Sequence, residues 1–202
     1  QGGDASSIPV FSVGDRLTEK YLTMETRTRA TDLCTPFQKE LYLGTLSFTE
    51  AIDLESWHAV GISHSYCRVE VNVTDLTGVY SGAGADPSVR VNGTMTSMDM
   101  HKKGTGNPAT VHAGMICPLN DGKVYTTGRF GVLPSSDGQT ISVDIYNGDE
   151  LLTNLTVPRN STVSPLIAEA GGLLIFDYEL GQSEFFVTVG DFRYRFVTID
   201  DM

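Results

Sequence analysis

The chain has 202 residues, 14 Lys+Arg against 25 Asp+Glu, and a formal net charge of −11. With 40% apolar and 19% charged residues it is too apolar and too lightly charged for a disordered tail, and its length suffices for one domain with a sizeable core. The acidic balance counts against nucleic acid and anionic membrane, which recruit clustered Lys and Arg, and no apolar run approaches the ~20 residues of a membrane-spanning helix.

The start, QGGDASSIP, does not read as a signal peptide, and Gln1 in place of Met leads us to expect a processed fragment or excised module. Residues 16–30 are threonine-rich and favour strand, whereas 53–59 reads as one helical turn. From Cys67 onward the dominant period is two: Cys67, Val69, Val71 and Val73 fall on one face. The stretch 80–107, opened by Ser81-Gly82-Ala83-Gly84 and closed by Gly104-Thr105-Gly106-Asn107-Pro108, reads as long, exposed, glycine-rich loops, with Asn92-Gly93 as a turn. A soft internal boundary is expected near 80–88.

Beyond it, Asn120-Asp121-Gly122 is placed between strands at 111–117 and 123–131, and Asp137-Gly138 marks another turn. Ile141, Val143 and Ile145 alternate within 140–146, and Asn147-Gly148 joins that strand to 149–156 through a two-residue turn. Residues 162–170 read as a second helical turn, and 173–176 as a short buried strand. Gly190-Asp191 closes a hairpin between 184–189 and 192–199. The fold expectation is therefore all-β: one globular domain over 1–202, an antiparallel β-barrel or β-sandwich with long polar loops and at most one or two short helices. The C-terminal half is expected to form an antiparallel meander.

Catalytic and metal chemistry find little purchase. Cys34, Cys67 and Cys117 are an odd set with no metal-knuckle spacing, and Cys67 reads as a buried thiol on an apolar strand face. His58 and His64 with Cys67 lack a fourth ligand, and on a strand Cys67 lies on the opposite face. Asp53/Glu55 and Asp177/Glu179 are same-face carboxylate pairs, a spacing also common on solvated strands. No catalytic residue, metal site or cofactor is assigned. The binding candidates are the small basic island His101, Lys102 and Lys103 on an otherwise acidic chain, the single tryptophan Trp57 as a sugar-stacking platform, and Tyr80 at the head of the polar loops. Sequons occur at Asn72, Asn92, Asn154 and Asn160.

An acidic all-β domain with no basic arm resembles the protruding spike of a non-enveloped virus. With Gln1 at its start, the strand-rich end and the exit Thr198-Ile199-Asp200-Asp201-Met202, it is most similar to the astrovirus capsid projection domain, the avian lineage in particular. In that family the precursor runs on into an acidic segment. The resemblance implies a homodimeric spike on the virion surface, assembled in the host cytoplasm. Its partners would be a host-cell receptor protein or glycan and neutralising antibodies, with no nucleic acid and no membrane insertion. A secreted lectin-like carbohydrate-binding β-sandwich is the alternative, and a hydrolase on a β-scaffold comes third.

Overall fold

Strict alternation turns a run such as Cys67-Arg68-Val69-Glu70-Val71-Asn72-Val73 into a strand with one dry face. Cys67, Val69, Val71 and Val73 are fully buried, while Arg68, Glu70 and Asn72 point outward, half-buried. A computed structural model describes residues 6–7, 12, 14–16, 19–24, 26–27, 30–37, 40–44, 59–76, 86–118, 123–157 and 166–197. Residues 53–58 of the helical turn expected at 53–59, most of the soft boundary at 80–88, and the turn residues 120–122 lie outside these.

The described strands are β1 (Ser6–Ser7), β2 (Tyr21–Met24), β3 (Thr26–Arg27), β4 (Ala30–Cys34), β5 (Tyr42–Leu43), β6 (Ser63–His64), β7 (Cys67–Thr74) and β8 (Pro87–Asp99). They continue with β9 (Gly104–Gly114), β10 (Val124–Thr126), β11 (Phe130–Val132), β12 (Ser142–Asn147), β13 (Glu150–Thr156), β14 (Leu173–Glu179), β15 (Glu184–Val189) and β16 (Phe192–Val197). The chain is all-β. One sheet has eight strands, another six in the order β10-β7-β14-β15-β16 with β11 also on β7, and β5 and β6 form a separate ribbon. Val71 and Phe176 from the six-stranded sheet share one hydrophobic core with Val91, Val111 and Ile145 from the eight-stranded sheet, a sandwich arrangement.

Strand β8 is the spine of the larger sheet. Along one edge it pairs with β9; along the other it pairs first with β12, from Pro87 to Asn92, and then with β2, from Ser97 to Asp99. The change of partner falls at two register shifts, Val91/Thr94 and Met95/Ser97. Over 86–107 the structure corrects the reading of 80–107 as loops and of Asn92-Gly93 as a turn, 80–85 lying outside the described residues. Val89, Val91, Met95 and Met98 are buried, and Gly93 sits in a bulge at φ 83°. A Cβ on Gly93 would lie 2.1 Å from the Thr140 carbonyl oxygen. The glycine marks a strand irregularity pressed against a neighbouring backbone; of the polar residues beside it, Asn92 is half-buried and Thr94 fully buried, its hydroxyl donating to Ala109 O at 3.1 Å.

The remaining differences are ones of register and partner. Gly190-Asp191 does join β15 to β16, Val189 opposing Phe192. Between β12 and β13, however, Asn147 opposes Glu150, so the turn residues are Gly148 and Asp149. Asn147 stays in the ladder because its Oδ1 accepts the Asp86 amide at 2.9 Å while Gly148 N donates to Asp86 O. The meander holds for β14-β15-β16, but β12 and β13 belong to the other sheet, and β14 runs parallel to β7. In place of the hairpin expected beyond β9, the described residues form an isolated bridge, Ile116 to Thr126, and β10 pairs with β7. Of the turn expected over 162–170, the described residues 166–169 are not helical; Leu166 and Ala168 are buried and bond Ile141 and Ser135.

Candidate functional site

The ribbon places Tyr42 opposite His64 and Leu43 opposite Ser63. Alternation therefore gives it two faces, Tyr42 with His64 on one and Leu43 with Ser63 on the other. Its close approach needs Gly44: a Cβ there would stand 2.5 Å from Gly61 O and 2.8 Å from Ile62 Cγ2. Ser65 N donates to Leu41 O at 2.9 Å, fastening the ribbon to the lead-in of β7.

The first face is an aromatic platform with Tyr42 exposed at its top and the His64 side chain largely covered. The Tyr42 and His64 rings lie 4.4 Å apart at 34°, with Tyr42 48% and neighbouring Ile62 67% exposed. Beneath them Tyr66 sits 6.2 Å from His64 and stacks on Phe37 at 5.5 Å. This stack leans on Gly131, where a Cβ would meet the Tyr66 ring at 2.6 Å. Glu40 edges the platform: its Oε2 accepts the Tyr42 hydroxyl at 2.5 Å and lies 3.7 Å from His64 Nε2. The Tyr42 hydrogen bond holds the Glu40 carboxyl below the usual range, with His64, Arg68 and Arg129 contributing attraction, and it raises the Tyr42 phenol. Burial raises the Tyr66 phenol.

The second face rests on the tip of the β8–β9 hairpin. Lys102 Nζ donates to Ser63 Oγ. Lys102 is one of two non-glycine residues in the left-handed region among those described, at φ 65°. Asp99 organises the tip, its Oδ1 accepting the amides of His101 at 2.9 Å and Lys103 at 3.0 Å. The basic island thus divides. Lys102 is half-buried and engaged by the ribbon, whereas His101 and Lys103 are exposed. Trp57 and Tyr80 lie outside the described residues.

Other sequence candidates take structural roles. The Cys67 thiol is pushed up to about 12 by burial, which removes the thiolate a nucleophile needs. Among the described residues no group of three or more His, Cys, Asp and Glu could hold a metal ion; His58 lies outside them. Asp177 accepts from Asn72 Nδ2 at 3.1 Å and pairs with Arg193 at 3.3 Å, in a shallow polar cavity of about 280 Å³ that Glu179 also lines. The amide nitrogens of three sequon residues are likewise engaged by carboxylates, Asn72 with Glu70 and Asp177, and Asn92 and Asn154 with Asp144. Asn160 lies outside the described residues.

Sequence reasoning missed Glu40, Tyr42, Ile62 and Tyr66. The available signal was faint: Leu41-Tyr42-Leu43-Gly44 and Gly61-Ile62-Ser63-His64 each carry a glycine beside a β-forming run too short for periodicity to register.

No protein-family model matches the sequence, and no curated protein does. Solved structures do resemble the fold. A candidate polysaccharide-binding protein from Bacteroides thetaiotaomicron superposes with a TM-score of 0.59 at 10% identity, covering 96% of this chain and 73% of that one. A candidate adhesin from Bacteroides ovatus gives 0.55 at 11%, covering 98% and 73%, and the fimbrial anchor protein Mfa2 from Porphyromonas gingivalis gives 0.52 at 10%, covering 95% and 72%. At such identities the shared property is the fold, which this chain has in common with β-rich bacterial proteins.

Proposed function

We propose that the chain is a non-enzymatic surface attachment module that binds carbohydrate on the Tyr42–His64 face of the ribbon. The observation that carries this is the exposed Tyr42 ring beside a carboxylate held by its own hydroxyl. An aromatic face takes the apolar side of a sugar ring, and an ionised carboxylate accepts its hydroxyls. The fold relatives, named as a candidate adhesin, a candidate polysaccharide-binding protein and a fimbrial anchor, support an attachment role. They lend no support to the narrower viral spike reading.

A glycan array tests the proposal, followed by affinity measurement on the best ligand. Tyr42→Ala is expected to weaken binding about tenfold, the equivalent of ~1.4 kcal/mol. Ile116→Ser, which removes an exposed apolar residue elsewhere, is expected to change nothing. Full binding by Tyr42→Ala would remove the ribbon as the site, and a blank array for the wild type would remove carbohydrate as the ligand.

A further inference from the structure

We propose that the outer face of the eight-stranded sheet carries a second site, centred on Arg90, for the carboxylate of an acidic saccharide. Four strands lie side by side there in the order β13-β12-β8-β9, and register aligns Asn154, Asp144, Arg90 and His112 in one row. Arg90 thus stands in the middle of a polar face, half-buried, with Asp144 on one side and His112 on the other.

An arginine beside an aspartate in register is placed to pair with it, yet here it does not. Asp144 is turned to its flanking amides: Oδ2 accepts Asn92 Nδ2 at 2.8 Å, and Oδ1 accepts Asn154 Nδ2. The ladder extends at both ends, Thr110 Oγ1 donating to Asn92 Oδ1 at 2.8 Å and Thr156 Oγ1 to Asn154 Oδ1. Two asparagines therefore engage the carboxylate that stands opposite Arg90 in register.

Among the described residues Arg90 is left without an anion. Its Cζ lies 4.1 Å from the centre of the Tyr146 ring, and its buried Nε has no acceptor among the described residues. Arg129, Arg193 and Arg195 of the same protein are each matched to a carboxylate. A guanidinium fixed by stacking on an aromatic ring, with its planar fork unspent, is suited to a bidentate carboxylate. Around it, each asparagine amide keeps a second N–H and Asp144 keeps further lone pairs, so the same face offers donors and acceptors to hydroxyl groups. Carboxylate plus hydroxyls is the chemistry of a uronic or related acidic sugar. This site is separate from the ribbon and does not rest on the reading given to it.

NMR titration of the full chain tests this, following the Arg90 Nε–H signal with glucuronate, glucose and acetate as probes. The expected result is a saturable shift with glucuronate, none with glucose, and a weaker response to acetate. Arg90→Met and Arg90→Lys are each expected to weaken glucuronate binding at least about tenfold, because Met removes the charge and Lys keeps it without the fork. Circular dichroism identifies any variant that fails to fold, and the Lys variant and the wild-type titration then carry the test. Ile116→Ser, at an exposed residue outside both sites, is expected to leave this binding unchanged. An unmoved Arg90 signal, equal binding of glucose and glucuronate, or wild-type affinity in a folded Arg90 variant would overturn the site. A response to acetate equal to that of glucuronate would overturn the saccharide as its ligand.

Discussion

Replacing Gly93 by alanine tests whether the bulge in β8 is a built feature. Two costs are expected. The first is conformational, since φ 83° lies where an L side chain costs roughly 1–2 kcal/mol. The second is steric: the new Cβ would stand 2.1 Å from Thr140 O and 2.8 Å from Thr140 C, which are backbone and cannot rotate away. Overpacking of this kind costs typically ~1–3 kcal/mol, for a total of roughly 2–5. Gly138→Ala is the internal control, having a similar φ of 79° with nothing within 4 Å of its Cβ. Only the conformational cost applies there. Thermal melts followed by circular dichroism are expected to show a fall of roughly 4–20 °C for Gly93→Ala and about 2–8 °C for Gly138→Ala. Equal falls for the two variants would refute the argument that Gly93 exists to let two backbones meet.

Tyr42→Phe removes the main hydrogen bond to Glu40, so the Glu40 carboxyl is expected to rise toward its ordinary 4.5, read from its carboxyl 13C shift against pH. Because the folded-state value is lowered, its contribution to stability is present above 4.5 and is lost as pH falls through the folded value. The Tyr42→Phe variant is therefore expected to show a flatter decline in stability over that acidic window. A thiol reagent on the native protein is expected to label Cys117, which is half-buried, and to spare Cys34 and Cys67, which are fully buried, until denaturant is added; prompt native labelling of Cys67 would contradict its placement. Lys102→Ala is expected to speed amide exchange at Ser65, whose N–H bonds Leu41 O, by loosening the ribbon from the hairpin tip. Unchanged exchange there would show that the Lys102 contact holds nothing.

Legibility in the sequence followed the size of each pattern. Strand β7 was readable because four buried positions alternate without interruption, and β15–β16 because Gly190-Asp191 separates two aromatic-rich runs. Strand β8 was not, since its bulges shift the period midway and its outward residues include Asn92, Gly93, Thr96 and Ser97, the composition of a loop. The basic island was legible as a cluster of charge, but its contact with Ser63 spans 39 positions and no local pattern encodes it. The same holds for the platform, where Glu40 and His64 meet across a ribbon of two-residue strands.

The parallel pairing of β7 with β14 has a consequence for the order of events in folding. Arg68 opposes Leu173, so this contact closes a loop of 105 residues (173 − 68), while every other pairing in the six-stranded sheet spans a shorter distance. Loop entropy alone grows slowly with such a separation, but the apolar face of β7 gains its long central neighbour only once that loop has closed. On a ribosome, Val69, Val71 and Val73 emerge more than a hundred residues before β14 exists to flank them. The strand read most easily from the sequence is thus the one that waits longest for its partner, and the one most in need of shielding from other nascent chains meanwhile.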